Sequence, residues 1–182
     1  IMKKIFIITL IMFNFLSTSN ASYEKLAYEF SFTGIEGNLI NLNDYKQKVI
    51  VVVNVASRCG FTYQYEDLQT LWSNYKDKNL VVIGVPSNNF KQEPSSNKDI
   101  KDFCETNFNI NFPMTEKTNV IGDNAHPFFK WAKNNHGAGA VPKWNFHKII
   151  ISKNGKVADT FSSITKPSSK RFIKLIESEI KN

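Results

Sequence analysis

Two unbroken apolar runs stand out from an otherwise mixed chain. Residues 49–55, from Val49 through Val53 and Asn54 to Val55, are almost wholly β-branched, and residues 80–85 form a second apolar run. Such runs suit strands buried on both faces of a sheet. Between them Tyr65, Leu68, Leu71 and Trp72 fall at helical spacing. Residues 49–85 therefore read as strand, helix, strand, with parallel strands joined by a right-handed crossover. Upstream, a strand-like stretch at 28–32 meets turn residues Gly34 and Gly37, and residues 39–45 lead into the first long run. Downstream, helices are predicted over 98–108 and 125–133. Residues 148–152 and 156–161 read as strands joined through Lys153, Asn154 and Gly155, a hairpin signal. A last helix starts near Pro167 and sets Phe172, Leu175, Ile176 and Ile180 on one stripe.

A parallel strand–helix–strand half, followed by an antiparallel hairpin and a closing helix, is the layout of a thioredoxin-like fold. The expected class is α/β, a central mixed sheet flanked by helices. With 182 residues and 42% hydrophobic content, one domain with one core is expected over 22–182. Residues 1–21 read as a signal peptide. Lys3 and Lys4 form a positive start, residues 5–16 are mostly apolar but too short to span a bilayer, and Ser19 and Ala21 supply small residues for cleavage. Export to the periplasm without stable membrane insertion is the expectation. The formal net charge of +7 comes from dispersed lysines, which argues for a solvated surface and against a nucleic-acid partner.

Two cysteines lie outside the signal, Cys59 and Cys104. In an exported protein they can form a structural disulfide. Cys59 also follows a buried strand and precedes a helix, a place where open α/β sheets gather catalytic groups. Unpaired N–H groups at a helix start favour the thiolate, which is the nucleophile. A Cys-x-x-Cys disulfide oxidoreductase is excluded, because Thr62 holds the second position. His126, His136 and His147 are well separated and lack Cys or carboxylate neighbours at ligand spacing, so no metal site is predicted and they read as surface or hydrogen-bonding residues. No cofactor is expected.

The segment Asn54-Val55-Ala56-Ser57-Arg58-Cys59-Gly60-Phe61-Thr62, followed by Gln64, Tyr65 and Leu68, resembles the peroxidatic motif of glutathione peroxidases. Pro86-Ser87-Asn88-Asn89-Phe90-Lys91-Gln92-Glu93-Pro94 resembles the family's second motif, and Pro142-Lys143-Trp144-Asn145-Phe146-His147-Lys148 its third. Phe112-Pro113-Met114 and the stretch 161–167 fit as well, so the resemblance covers nearly all of the chain after the signal. It implies a peroxidase in which Cys59, a plain cysteine where relatives carry cysteine or selenocysteine, attacks the peroxide and becomes a sulfenic acid. Trp144 and Asn145 are carried over as hydrogen-bond donors beside the sulfur. The chain departs from the pattern at Asn89, where the family usually has Gln, and the loop is one residue short. Asn89 keeps an amide with less reach, Gln92 is an alternative donor, and Gln92 and Glu93 otherwise read as structural.

Cys104 matches the place of the resolving cysteine in many cysteine-type relatives. The implied cycle closes a Cys59–Cys104 disulfide, after local rearrangement of the Cys104 helix, and a thioredoxin-like protein or glutathione reopens it. The compact stretch between Met114 and Trp144 lacks the segment that supports tetramers in long relatives, which implies a monomer and weak use of glutathione. The competing expectation is a non-catalytic periplasmic binding or accessory module on the same fold, with a structural disulfide.

Overall fold

The computed structural model describes residues 25–182, so the expected signal at 1–21 lies outside the described residues. Strand β1 (Ser31–Thr33) and β2 (Leu39–Asn41) form a small antiparallel hairpin. The main sheet holds β3 (Val49–Val55), β4 (Leu80–Pro86), β5 (Lys148–Ile151) and β6 (Val157–Phe161) in the order β4-β3-β5-β6. Strands β3 and β4 pair in parallel from Val49↔Leu80 to Val55↔Pro86, whereas β5 is antiparallel to β3 and to β6. The expected crossover helix is α1 (Gln64–Tyr75), followed by α2 (Asn97–Phe108), α3 (Pro127–His136) and α4 (Lys170–Lys181).

Every residue of β3 and β4 is buried, and side-chain alternation explains why both runs are apolar at all positions but Asn54. Val49, Val51, Val53 and Val55 pack with Tyr65, Leu68 and Leu71 of α1, Ile100 and Cys104 of α2, and Phe172 and Ile176 of α4. Ile50 and Val52 point the other way, toward Phe128, Phe129 and Ala132 of α3 and toward Phe32 and Ile40 of the hairpin. The layers are thus helix, sheet, helix, as the sequence pattern predicts. Among the described residues no helix is long and apolar enough to cross a membrane.

The helix limits have local causes. Ser96 and Asp99 close a capping box at α2, and Asn109 ends that helix in the left-handed region at φ 51°. Helix α3 starts at Pro127 rather than at 125, with proline in the first turn and His126 accepting from the Phe128 N–H at 3.3 Å. Helix α4 begins three residues beyond Pro167, because the Ser169 hydroxyl accepts from the Phe172 N–H. The stretch 28–32 is only partly extended: a 3-10 turn, Ala27–Glu29, precedes the short β1.

Candidate active site

Cys59 lies beyond the carboxyl end of β3, and a chain of tight turns separates it from α1. The Thr62 N–H donates to the Cys59 carbonyl at 3.0 Å, Gln64 to Phe61 at 2.9 Å and Tyr65 to Thr62 at 3.1 Å. The Thr62 hydroxyl accepts from the Cys59 N–H at 3.1 Å and donates to the Ala56 carbonyl at 3.0 Å, which pins the turn from inside. Cys59 therefore does not sit on the first turn of the helix, as its position in the sequence suggested. Its sulfur instead accepts from one backbone donor, the Phe61 N–H at 3.4 Å. It is 8% exposed, enough for a small reagent at the surface.

The second and third motifs close around this turn. The Glu93 carboxylate accepts from both the Ser57 N–H at 2.6 Å and the Ser57 hydroxyl at 2.7 Å. The Gln92 carbonyl accepts from the Arg58 N–H at 3.1 Å, and its side-chain oxygen accepts from Asn145 Nδ2 at 2.8 Å. Gln92 thus joins the Cys59 turn to the third motif. Asn145 is fully buried and its Oδ1 has no partner. Asn54, near the end of β3, anchors the same segment: its amide donates to the Trp144 carbonyl at 3.2 Å and accepts from the His147 N–H at 3.1 Å. Phe146 takes a left-handed turn between them, at φ 63°. The Trp144 indole is 41% exposed and packs against Phe90, with ring centroids 5.4 Å apart.

Asn89 is used differently. Its Oδ1 accepts from the Ser87 hydroxyl at 2.9 Å and from the Val120 N–H at 2.7 Å, and its Nδ2 donates to Asn119 at 3.3 Å. These bonds tie the loop to the segment before α3. The amide that meets Asn145 belongs to Gln92, three residues on. The loop thus brings Gln92, not Asn89, to this place.

Cys104 is 1% exposed on α2, and both cysteines are free. No structural disulfide joins them. Burial is the main cause that pushes the Cys104 thiol up to about 11, so it rests as a thiol at neutral pH. Between the two helices stands Tyr65, fully buried, its ring edge-on to Phe146 at 5.3 Å and tilted against Phe108 at 5.2 Å.

Two buried groups are hard to read from residue type. His147 is 6% exposed and its Nε2 has no partner, which corrects the expectation of a surface or hydrogen-bonding histidine. Burial, helped by the neighbouring Lys148 charge, lowers its pKa to about 4. Lys148 is itself fully buried, and desolvation lowers its pKa to about 7. It donates to Gln64 Oε1 and to the Thr165 carbonyl, while Gln64 Nε2 donates to the Ser163 carbonyl at 2.7 Å. This network fastens the loop after β6 to the start of α1. A lysine at the start of a strand and a histidine just before it give no sequence signal of burial. Neither does Glu93, whose place beside Ser57 is decided only by the path of its loop.

The glutathione peroxidase family model matches residues 27–133, which span the first two motifs and Cys104. The chain is similar to the hydroperoxy fatty acid reductase gpx1 of Synechocystis, 42% identical over 81% of this chain and 92% of that protein. It is also similar to the glutathione peroxidase-like peroxiredoxin 2 of Saccharomyces cerevisiae, 42% identical over 78% of this chain and 90% of that one. The crystal structure of apo Trgpx superposes with a TM-score of 0.70 and 34% identity, covering 87% of this chain and 97% of the other. Thioredoxin-family proteins such as a thiol:disulfide interchange protein of Chlorobium tepidum share the fold at 14% identity and a TM-score of 0.63. With its three motifs bonded to one another beside the free Cys59, the chain belongs to the glutathione peroxidase family and is a cysteine-type peroxidase of that family.

Proposed function

We propose that the protein reduces hydrogen peroxide and organic hydroperoxides by a two-cysteine cycle. The observation that carries this reading is the Cys59 sulfur, free beyond the end of β3, accepting from the Phe61 N–H in a turn bonded to the Gln92–Asn145 pair. In the first step the Cys59 thiolate attacks the terminal peroxide oxygen. The O–O bond breaks, an S–O bond forms, and the departing alkoxide or hydroxide takes a proton. That proton comes from water, while the Gln92 and Asn145 amides and the Trp144 indole donate hydrogen bonds to the departing oxygen and keep their own protons. Gln92 takes the part first assigned to Asn89, whose amide is spent on Ser87, Asn119 and Val120. The aromatic rings of Phe61, Tyr63, Phe90 and Trp144 offer apolar surface for the organic part of a hydroperoxide. The name of the Synechocystis relative, a hydroperoxy fatty acid reductase, supports that substrate class.

In the second step Cys104 attacks the Cys59 sulfenic acid, giving a disulfide and water. A thioredoxin-like dithiol protein then reduces the disulfide, a reading supported by the peroxiredoxin names of the yeast relatives. Because Cys104 is buried on α2, closure requires that helix to move or open. A monomer working in the periplasm completes the proposal. The reading as an accessory module held by a structural disulfide is disfavoured by two cysteines that stand free on different elements.

The test mixes reduced protein with a slight excess of hydrogen peroxide or an organic hydroperoxide and follows peroxide loss and cysteine mass. Rapid peroxide loss with an intramolecular disulfide is expected, and Cys104→Ser should stop at the sulfenic acid. Survival of both thiols for minutes would refute the peroxidase cycle.

A further inference from the structure

The resolving step has a proton problem. Cys104 enters it as a buried thiol, and the Cys59 sulfenic acid must lose hydroxide. Creating a free thiolate in that interior is costly, as is expelling a bare hydroxide. One side chain in the core is unoccupied and placed to solve both. Tyr65 is 0% exposed, and its hydroxyl has no partner with full hydrogen-bond geometry. The Cys104 thiol lies within side-chain hydrogen-bonding reach of that hydroxyl, and Glu93 and Cys59 are near enough for their charge to act on it. All but Glu93 belong to one apolar cluster packed between β3, α1 and α2. A buried hydroxyl without a partner costs about 1–3 kcal/mol. Removing it would relieve the fold, so its presence against the Cys104 thiol, in the buried cluster that also holds Cys59, points to use.

We propose that Tyr65 is the proton shuttle of disulfide closure, its hydroxyl taking the proton of Cys104 while giving its own to the hydroxide that leaves Cys59. This rests on the two-cysteine cycle proposed above. The bookkeeping of atoms is complete. The Cys104 sulfur bonds to the Cys59 sulfur, the Cys59 S–O bond breaks, and the oxygen departs as water with the tyrosine proton. Tyr65 regains a proton from Cys104 and ends unchanged. Cys104 is oxidised and the Cys59 sulfenic acid is reduced, with no further reagent. A concerted shuttle never leaves a phenolate or a thiolate exposed to the charge of Glu93 or Glu105, both of which oppose ionisation of Cys104. Tyr65 is held for this by the rings of Phe146 and Phe108. It travels with α1, on the side of Cys59, while Cys104 approaches on α2.

The experiment compares wild type with Tyr65→Phe, which keeps the ring and removes only the hydroxyl. Rapid-quench mass spectrometry separates sulfenic acid formation, whose rate depends on peroxide concentration, from closure, whose rate does not. In Tyr65→Phe closure should slow on the order of a hundredfold, the usual scale for losing a positioned acid–base group, and far more than sulfenic acid formation. Wild-type closure should also be slower in heavy water, and that sensitivity should shrink in the variant. Closure at the wild-type rate, faster closure, or equal slowing of both steps would overturn the role of Tyr65 while leaving the cycle intact. Wild type that makes sulfenic acid but no Cys59–Cys104 disulfide would instead overturn the cycle, and the shuttle with it.

Discussion

His147 is carried into the protein interior as a neutral imidazole, so lowering the pH below its unfolded-state pKa works against the fold. In the native state its Nε2 has no hydrogen-bond partner, and Lys148, the first residue of β5, lies next to it in the chain. Protonation would bury a positive charge next to another cation. The native pKa is lowered from 6.5 to about 4, so between those values the unfolded chain binds the extra proton and the folded one does not. Stability therefore rises with pH through this window and is lost as pH falls from about 6.5 toward 4. Relative to pH 7, the two pKa values correspond to a loss of about 2 kcal/mol at pH 5 and about 3 kcal/mol at pH 4. Carboxylates titrate in the same range, so the effect is read as a difference. Urea unfolding of wild type and His147→Leu at pH 7 and pH 5 isolates it, since leucine fills similar space and cannot ionise. The wild type should lose about 2 kcal/mol more than the variant over this interval. Parallel losses in the two proteins would show that His147 is not held neutral by burial.

Asn89→Ala should cost about 1–2 kcal/mol by leaving the Val120 N–H without its 2.7 Å acceptor, yet slow peroxide loss less than Gln92→Ala or Asn145→Ala, as urea unfolding and peroxide kinetics together can show. Gly84→Ala should cost about 1–3 kcal/mol, because the new methyl would lie 2.3 Å from Met114 Sδ and 3.1 Å from a Phe112 ring carbon, a loss that thermal unfolding can measure. Lys148 has the opposite alkaline signature to that of a paired lysine. Its pKa is lowered to about 7 in the fold, so wild-type stability should rise between pH 7 and 9 by up to about 2 kcal/mol, and urea unfolding of Lys148→Met should lack that rise.

Much of this architecture is local and therefore legible in sequence. A strand buried on both faces is apolar at nearly every position, which is why 49–55 and 80–85 predict β3 and β4 and their order around α1. The hairpin at Lys153, Asn154 and Gly155 and the stripe of α4 follow from turn chemistry and helical period in the same way. Cys59 beyond the end of a strand is equally a property of order along the chain. The surroundings of Cys59 are not. The turns of 59–65 keep the sulfur off the helix end and leave it one backbone donor, a result of how Thr62 bonds to Ala56 and Cys59.

Tertiary packing decided the rest, because hydrogen-bond partners distant in the chain depend on loop path rather than residue type. The path of the second motif turns Asn89 toward Val120 and sets Gln92 against Asn145. Glu93 finds Ser57 across 36 positions, and Lys148 finds Gln64 across 84, though both look like surface charges in the sequence. Tyr65 reads simply as one apolar position on a helix. Only the packing of α2 against α1 brings its hydroxyl within reach of Cys104, in the buried cluster that also holds Cys59. Period and order thus determined the layers of the protein and the place of its nucleophile, while the chemistry around the sulfur was settled by contacts that no local pattern encodes.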